Sequence, residues 1–388
     1  MDKFDVVIAG GGCMGVCTAF FLKRLDANIR VAVIEPDPTY EFASTLKASG
    51  GARRLFSCPE NIAMSRFGIE FIERFADVVA VAGDAPDLQW RPQGYLFIVP
   101  PSGVKVIEDN AVLQRAQGVE VELLDPPELK RRYPSMRVDD LGGAALSPRD
   151  GWCDSNSFLQ GVKKAARARG VEFITDCVVG FEHDPIAVRA VKLQSSRVLP
   201  AGHVVNAAGA WAAEIGDMVG MKLPITPLPR DEYYFTCASP VEPLPFVKDL
   251  SRLAFRPEGP GYSGGLVDGT RARGFTFDVD YAYFDNVMWP ALAHRFPAME
   301  AVKLQSAWCG LYEQCELDGN PIIGRWESRL KNFLVVAGFS GHGLMHAPAA
   351  GRGIAELIVQ GEYSQIDLTR LGYARVVAHA PYAERGIL

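Results

Sequence analysis

FDVVIAGGGCMGVCTAFFLKRLDANIRVAVIE, residues 4–35, decides the fold. FDVVIA (4–9) is a short apolar run of strand type, GGGCMG (10–15) is a turn, VCTAFFLKRL (16–25) has helical spacing, and RVAVIE (30–35) is a second buried strand closed by an acid. Together they make one βαβ unit. Gly10 provides the tight turn, Gly12 lets the backbone approach a pyrophosphate, and Gly15 permits close helix–strand packing. Glu35, twenty residues beyond Gly15, is placed to accept hydrogen bonds from a ribose. Cys13 and Met14 lie within the same turn and join the expected cofactor contacts.

The rest of the chain bounds the possibilities. It has 388 residues, 48% hydrophobic and 22% charged, with a formal net charge of −6. That length favours two domains, and the charge gives no basic tract for nucleic acid. No apolar stretch reaches the roughly 18–20 residues needed to span a bilayer. No secretory or transit pattern opens the chain, so a cytoplasmic protein is expected. The eight cysteines and six histidines show no CxxC or HExxH spacing, so no metal site is expected.

DSNSFLQGVKKAARARG (154–170) reads as an amphipathic helix capped by Asp154 or Ser155, with Lys163, Lys164, Arg167 and Arg169 on its solvated side. VEFIT (171–175) and HVVNAAG (203–209) are strand-like, with short antiparallel strands between them. From about 220, prolines and aromatic residues become frequent, and LQWRPQGYLFIVP (88–100) has a similar strand composition. The expected fold class is α/β plus β. A discontinuous Rossmann-type nucleotide domain (1–87, 145–218 and 325–370) is joined to a mostly antiparallel substrate domain (88–144 and 219–324), with a C-terminal tail at 371–388.

A second strand–glycine loop–helix corner follows FLVVAG (333–338), where Leu344, Ala347, Gly351, Ile354 and Leu357 recur at helical spacing. One nicotinamide does not need two such corners, but a flavin dinucleotide can use both. One helix end takes the pyrophosphate. The other turns N–H donors and about half a positive charge toward a flavin that becomes anionic on reduction.

GGGCMG with Glu35, VVNAAGAW (204–211), WCGLYEQCELDGNPIIG (308–324) and GFSGHG (338–343) stand in an order that resembles the D-amino-acid-oxidase superfamily over nearly the whole chain. That group includes sarcosine oxidases, glycine oxidases and dimethylglycine dehydrogenases. GGARRLFSCPENI (50–62) and GEYSQIDL (361–368) are most similar to the FAD-dependent oxidoreductase-domain-containing members. The resemblance implies extended FAD and oxidation of amines on amino acids, often N-methylated ones. It places Gly10, Gly12, Gly15 and Glu35 on the ADP half, Ser44 and Thr45 near the phosphates or flavin, and Val178 against the adenine. Ala208, Gly209 and Trp211 then follow the cofactor's middle, and Gly338, Gly341, His342, Gly343 and Leu344 border the flavin.

Two departures refine that expectation. The cysteine through which monomeric sarcosine oxidases attach FAD corresponds to Gly310, which implies non-covalent FAD. Their carboxylate-holding lysine after GFSGHG corresponds to Met345, and no lysine lies between 249 and 302 to match their oxygen-activating one. A dehydrogenase or slow oxidase is therefore expected, with oxygen, a quinone or an electron-transfer flavoprotein as acceptor.

Hydride transfer from a carbon beside nitrogen needs a neutral amine, close placement and exclusion of water. A carboxylate anchor is best supplied by arginine. Arg53 matches the family's flavin-side arginine, with Arg54, Arg230 and Arg256 as further candidates. Tyr233, Tyr234, Tyr262 and Tyr312 offer rings to enclose an alkylated nitrogen, with core packing the competing role for at least half. Tyr262 and Tyr312 are the two assigned to the site. His342 is assigned hydrogen bonding at the flavin edge, with acid–base chemistry second. His346 is assigned packing. The expected substrate is a secondary or tertiary amine of amino-acid type. A 2-hydroxy acid dehydrogenase and an assembly factor with mainly structural FAD are the alternatives.

Overall fold

The computed structural model describes residues 3–249 and 253–386. The opening strand forms over Phe4–Ala9 and pairs in parallel with Val31–Glu35 on one side and Val198–Asn206 on the other. Glu172–Thr175 and Phe333–Ala337 extend this parallel core, and Ile322–Arg325 closes one edge antiparallel. Val178–His183 and Val188–Leu193 form an antiparallel layer against the start of Val198–Asn206. Period-two burial explains the layering. Val6, Ile8, Val31 and Val33 face the helices, while Val7, Ala9, Ala32 and Ile34 face the antiparallel layer.

The first helix runs Cys13–Leu25, three residues earlier than its spacing predicts. The turn itself winds into the helix, because Gly15 lets the first turn fold back onto Gly10: a Cβ at Gly15 would lie 1.9 Å from the Gly10 carbonyl oxygen. The helix Ser155–Ala168 is capped by Asp154, whose carboxylate accepts from the Ser157 N–H at 2.5 Å. Its expected solvated face needs one correction. Lys163 is buried, with its ammonium 4.3 Å from the Tyr40 ring centre. Lys164 and Arg167 are exposed and Arg169 is half-buried, and the two arginines lie over Phe173 and Phe20.

The second sheet has the order Val302–Cys315, Ile225–Cys237, Gly261–Leu266, Leu253–Glu258, Phe246–Asp249, Tyr95–Val99, Gly143–Ser147, Glu122–Leu124. All pairs are antiparallel except Phe246–Asp249 with Tyr95–Val99. The divisions expected at 144/145 and 324/325 shift. Gly143–Ser147 belongs wholly to this sheet and Ile322–Arg325 wholly to the first, because hydrogen-bond pairing settles sheet membership. One face of the second sheet packs on the segment 284–299 through Tyr233, Phe235, Val247 and Phe255. The other face looks toward the two glycine loops.

The tail at 371–388 is tied down over its described part. Arg375 pairs with the buried Asp318 at 2.9 Å. Glu384 accepts from the Ser57 N–H at 2.5 Å and from Asn61 Nδ2 at 2.5 Å, at the start of the helix Pro59–Glu73. No helix among the described residues is long and apolar enough to cross a membrane.

Candidate cofactor and substrate site

Helix ends with free amides are the first feature of the site. The first helix follows Gly12 and the helix Gly343–Val359 follows His342, and neither has a side-chain cap. Of the first helix's leading amides, Cys13 N–H donates to Thr45 Oγ1 at 3.1 Å. The two helices run side by side. A Cβ at Gly351 would lie 2.7 Å from the Thr18 nitrogen, and one at Gly343 would lie 3.3 Å from the Met14 methyl. Two amide clusters more than 300 residues apart in sequence are thus brought together, each with donors to offer an anionic or carbonyl group.

Of the other glycines here, Gly10 allows a tight chain turn, while Gly12 and Gly209 leave room for a ligand. Gly10 has φ +102° and sits against the Ala207–Ala208 loop, where a Cβ would lie 2.4 Å from the Ala207 oxygen. A Cβ at Gly12 would meet only Thr45 Oγ1, at 3.4 Å, and Gly209, with φ +55°, has nothing within 4 Å. Glu35 accepts from the Gly11 N–H at 2.8 Å and the Asp37 N–H at 3.1 Å, and burial holds its carboxyl above the usual range. Ser44 donates to the Leu311 oxygen at 2.6 Å. Val178 is buried at the start of its strand, and Trp211 stacks on Phe275 at 5.1 Å.

At the C-terminal corner, Gly338 and Gly341 have φ +85° and +97°. A Cβ at Gly341 would lie 2.3 Å from the Tyr312 ring, so the loop closes directly on that tyrosine. Leu344 is buried behind it. Gly310 gives room to Lys47, whose Cβ would lie 2.5 Å from a Cβ there. Cys309 points to the other face, with its thiol toward the Thr276 oxygen. His342 is buried with Nε2 unpartnered among the described residues. Burial, then His346, Arg53 and Lys248, keep its ring neutral by lowering its pKa well below the ordinary value. His346 Nε2 lies 2.8 Å from Ser65 Oγ, and burial, then Arg53, lower it to about 3.

The two neighbouring arginines separate. Arg53 turns inward. It is buried, its guanidinium lies 4.0 Å from the Phe56 ring centre, and its N–H donates to Met345 Sδ at 3.4 Å. Its Nη1 donates to the Leu55 oxygen, and among the described residues it forms no ion pair with a carboxylate. Arg54 is a correction to the expected site. It turns outward to the buried Asp150 at 2.8 Å and lines an outer cleft of about 430 Å³ with Arg66 and Arg149. Consecutive residues in extended backbone point to opposite sides. Tyr262 is a second correction, for the same reason of alternation: it stacks on Phe235 at 5.7 Å, on the core face of the sheet. Tyr312 stays on the site face.

Sequence reasoning missed Lys248. It stands one residue before the lysine-free stretch 249–302, and nothing in its neighbours says which face its strand turns to the site. Lys248 is the register partner of Phe97, and Arg53 lies 5.3 Å and Lys248 5.8 Å from that one ring centre. Glu313 was missed as well: its buried carboxylate accepts from the Gly338 N–H at 3.0 Å. Its position next to Tyr312 in a motif already singled out was the available signal.

Uncapped paired helix ends, an open glycine face beside Glu35 and an unpartnered imidazole fit a flavin dinucleotide laid from the first corner to the last. The fold and site define an FAD-dependent oxidoreductase. Residues 5–357 match the family of FAD dependent oxidoreductases (DAO), and the chain belongs to that family. It is 35% identical to FAD-dependent oxidoreductase domain-containing protein 1 of Bos taurus, over 96% of this chain and 85% of that one. It is 28% identical to the mitochondrial sarcosine dehydrogenase of Mus musculus, over 92% of this chain and 40% of that longer protein. Among solved structures it is similar to the L-proline dehydrogenase from P.horikoshii, with 26% identity and a TM-score of 0.86 over 98% of this chain and 100% of that one.

Proposed function

We propose that this protein oxidises the C–N bond of a secondary or tertiary amine on an amino-acid-like molecule, giving an imine that hydrolyses in water. Bound FAD supplies the two-electron acceptor for the hydride. The observation that carries the reading is Arg53: a buried cation beside the glycine loop with no carboxylate partner among the described residues. A buried charge without a partner is costly unless a ligand completes it, and an amino-acid carboxylate does so.

The chain's own residues supply the rest. In this reading Gly10, Gly12, Cys13, Met14, Gly15 and Glu35 hold the ADP half. Ser44, Thr45, Val178, Ala208, Gly209 and Trp211 line its path. Gly338, Gly341, His342, Gly343 and Leu344 border the flavin. His342, kept neutral, offers a hydrogen bond at the ring edge without adding charge. Phe56, Tyr95, Phe97 and Tyr312 exclude water around the reacting carbon, which strengthens each polar contact. Met345 gives the helix an apolar contact in place of a charged one. Gly310, on the face toward Lys47, leaves FAD non-covalent. A dehydrogenase fits this site better than a fast oxidase, because Lys248 sits where burial and two arginines disfavour its charge.

An anaerobic titration of the purified yellow protein tests the reading. N-methyl amino acids should bleach the flavin band. Bleaching by 2-hydroxy acids alone, or by no small molecule, would replace it with a hydroxy acid dehydrogenase or a structural flavoprotein.

A further inference from the structure

The site face of the second sheet carries more positive charge than an ordinary amino acid can use. Strand register defines that face. Arg230 shares its side with Tyr312 and Gly310, because Arg230 is opposite Gly310 and Leu228 opposite Tyr312. Ser263 is opposite both Tyr234 and Arg256, and Ala254 is opposite Lys248, so Arg230, Arg256 and Lys248 all project the same way. Arg53 approaches this face from the nucleotide domain.

The acids nearby are committed elsewhere. Glu258 pairs with Arg256, and Asp150 with Arg54. Glu384 is held by Ser57, Cys58 and Asn61. Glu232 accepts from Ser263 Oγ at 2.7 Å and feels Arg256 more strongly than Arg230. Among the described residues, no carboxylate is hydrogen-bonded to Arg53, Arg230 or Lys248. Among those residues Arg230 Nε is buried without a hydrogen-bond partner, and its guanidinium lies 5.0 Å from the Tyr312 ring centre.

We propose that the substrate is a dicarboxylic amine, with one carboxylate toward Arg53 and Arg230 and the other toward Lys248. This rests on the amine-oxidation reading. An amine ready to give up hydride is neutral and oxidised flavin is neutral, so counter-charge for the sheet cations has to come from the substrate's acid groups. The roots of Arg230 and Lys248 are three strand spacings apart across the sheet, about 14 Å at ~4.8 Å per strand, a gap that the two long side chains, leaning toward each other, can close onto the two ends of one small dicarboxylate. With one carboxylate, Lys248 keeps only cations for company, and burial, then Arg53 and Arg230, drive its proton off. A second carboxylate restores it, so dicarboxylate binding draws a proton onto Lys248.

The test uses the FAD-loaded protein and two probe pairs. Malonate and acetate, which cannot be oxidised as amines, are titrated against the flavin absorption band. Iminodiacetate and sarcosine are compared as anaerobic reductants. Malonate should bind at least about tenfold more tightly than acetate, the effect of one further charge-assisted contact, and iminodiacetate should be preferred by a similar factor in the second-order rate constant of flavin reduction. Lys248→Met should abolish the malonate preference, while Lys248→Arg, which retains the charge, keeps it. Equal affinities for malonate and acetate overturn the proposal, as does a preference unchanged in Lys248→Met. If neither amine reduces the flavin but the malonate preference holds, the two-carboxylate site stands and amine oxidation falls. If sarcosine and iminodiacetate reduce it equally well, amine oxidation stands and the two-carboxylate site falls.

Discussion

The Glu313 carboxylate accepts a hydrogen bond from the Gly338 N–H at 3.0 Å, joining the long strand of the substrate sheet to the glycine loop of the nucleotide domain. Burial pushes its pKa up to about 7, against the pull of the Gly338 and Phe339 amides, and no cation is among the causes. The folded protein therefore binds a proton at Glu313 that the unfolded chain releases near pH 4.5.

The sign of the pH effect follows. Where the folded state holds the extra proton, stability falls as pH rises. Glu313 thus costs nothing below about pH 4.5 and progressively more up to pH 7, reaching about 3 kcal/mol, an order-of-magnitude figure. Glu313→Gln should flatten that decline. Denaturant unfolding of both proteins at pH 5 and pH 8 checks this, and parallel pH profiles would contradict it.

Gly351 sets the distance between the two glycine-loop helices, since a Cβ there would meet the Thr18 and Cys17 backbone at 2.7–2.8 Å. Gly351→Ala should destabilise the fold by about 1–3 kcal/mol, the usual cost of overpacking. It should also weaken FAD binding, although Gly351 lies two turns into its helix, away from the loop. Thermal unfolding and the recovery of flavin fluorescence on dilution measure the two effects.

Arg53 and Arg54 should fail in different ways. Arg54→Ala strands the buried Asp150, whose carboxyl burial already raises to about 6, and should cost about 3–5 kcal/mol of stability. Its folded fraction should still have its flavin reduced at close to the normal rate. Arg53→Met, similar in length and without charge, should unfold within a few degrees of the parent, with flavin reduction slowed by about a hundredfold or more. Calorimetry with anaerobic stopped-flow separates these outcomes.

Glu384 caps the helix Pro59–Glu73 from the far end of the chain, through Ser57, Cys58 and Asn61. Glu384→Ala should cost about 1–2 kcal/mol, as loss of a helix cap does. Hydrogen exchange at Ser57 and Cys58 should rise, because those amides lose their acceptor. Unchanged protection there would show that the contact does not hold in solution.

Local signals carried much of this protein. The turn at Gly10–Gly15, the acid at Glu35, the cap at Asp154 and the glycine loop at 338–343 each act through backbone geometry within a few residues, so residue type and spacing suffice to read them. The two-sheet architecture was legible for the same reason, since strand and helix periods are local. What the local signals left open was direction: Arg53 faces inward and Arg54 outward, Tyr312 lies on the site and Tyr262 in the core, and Lys248 joins the site from outside every motif. Those outcomes depend on strand register and on which sheet face meets the nucleotide domain. A one-residue slip would reverse each of them, and only contacts between segments hundreds of residues apart fix that register.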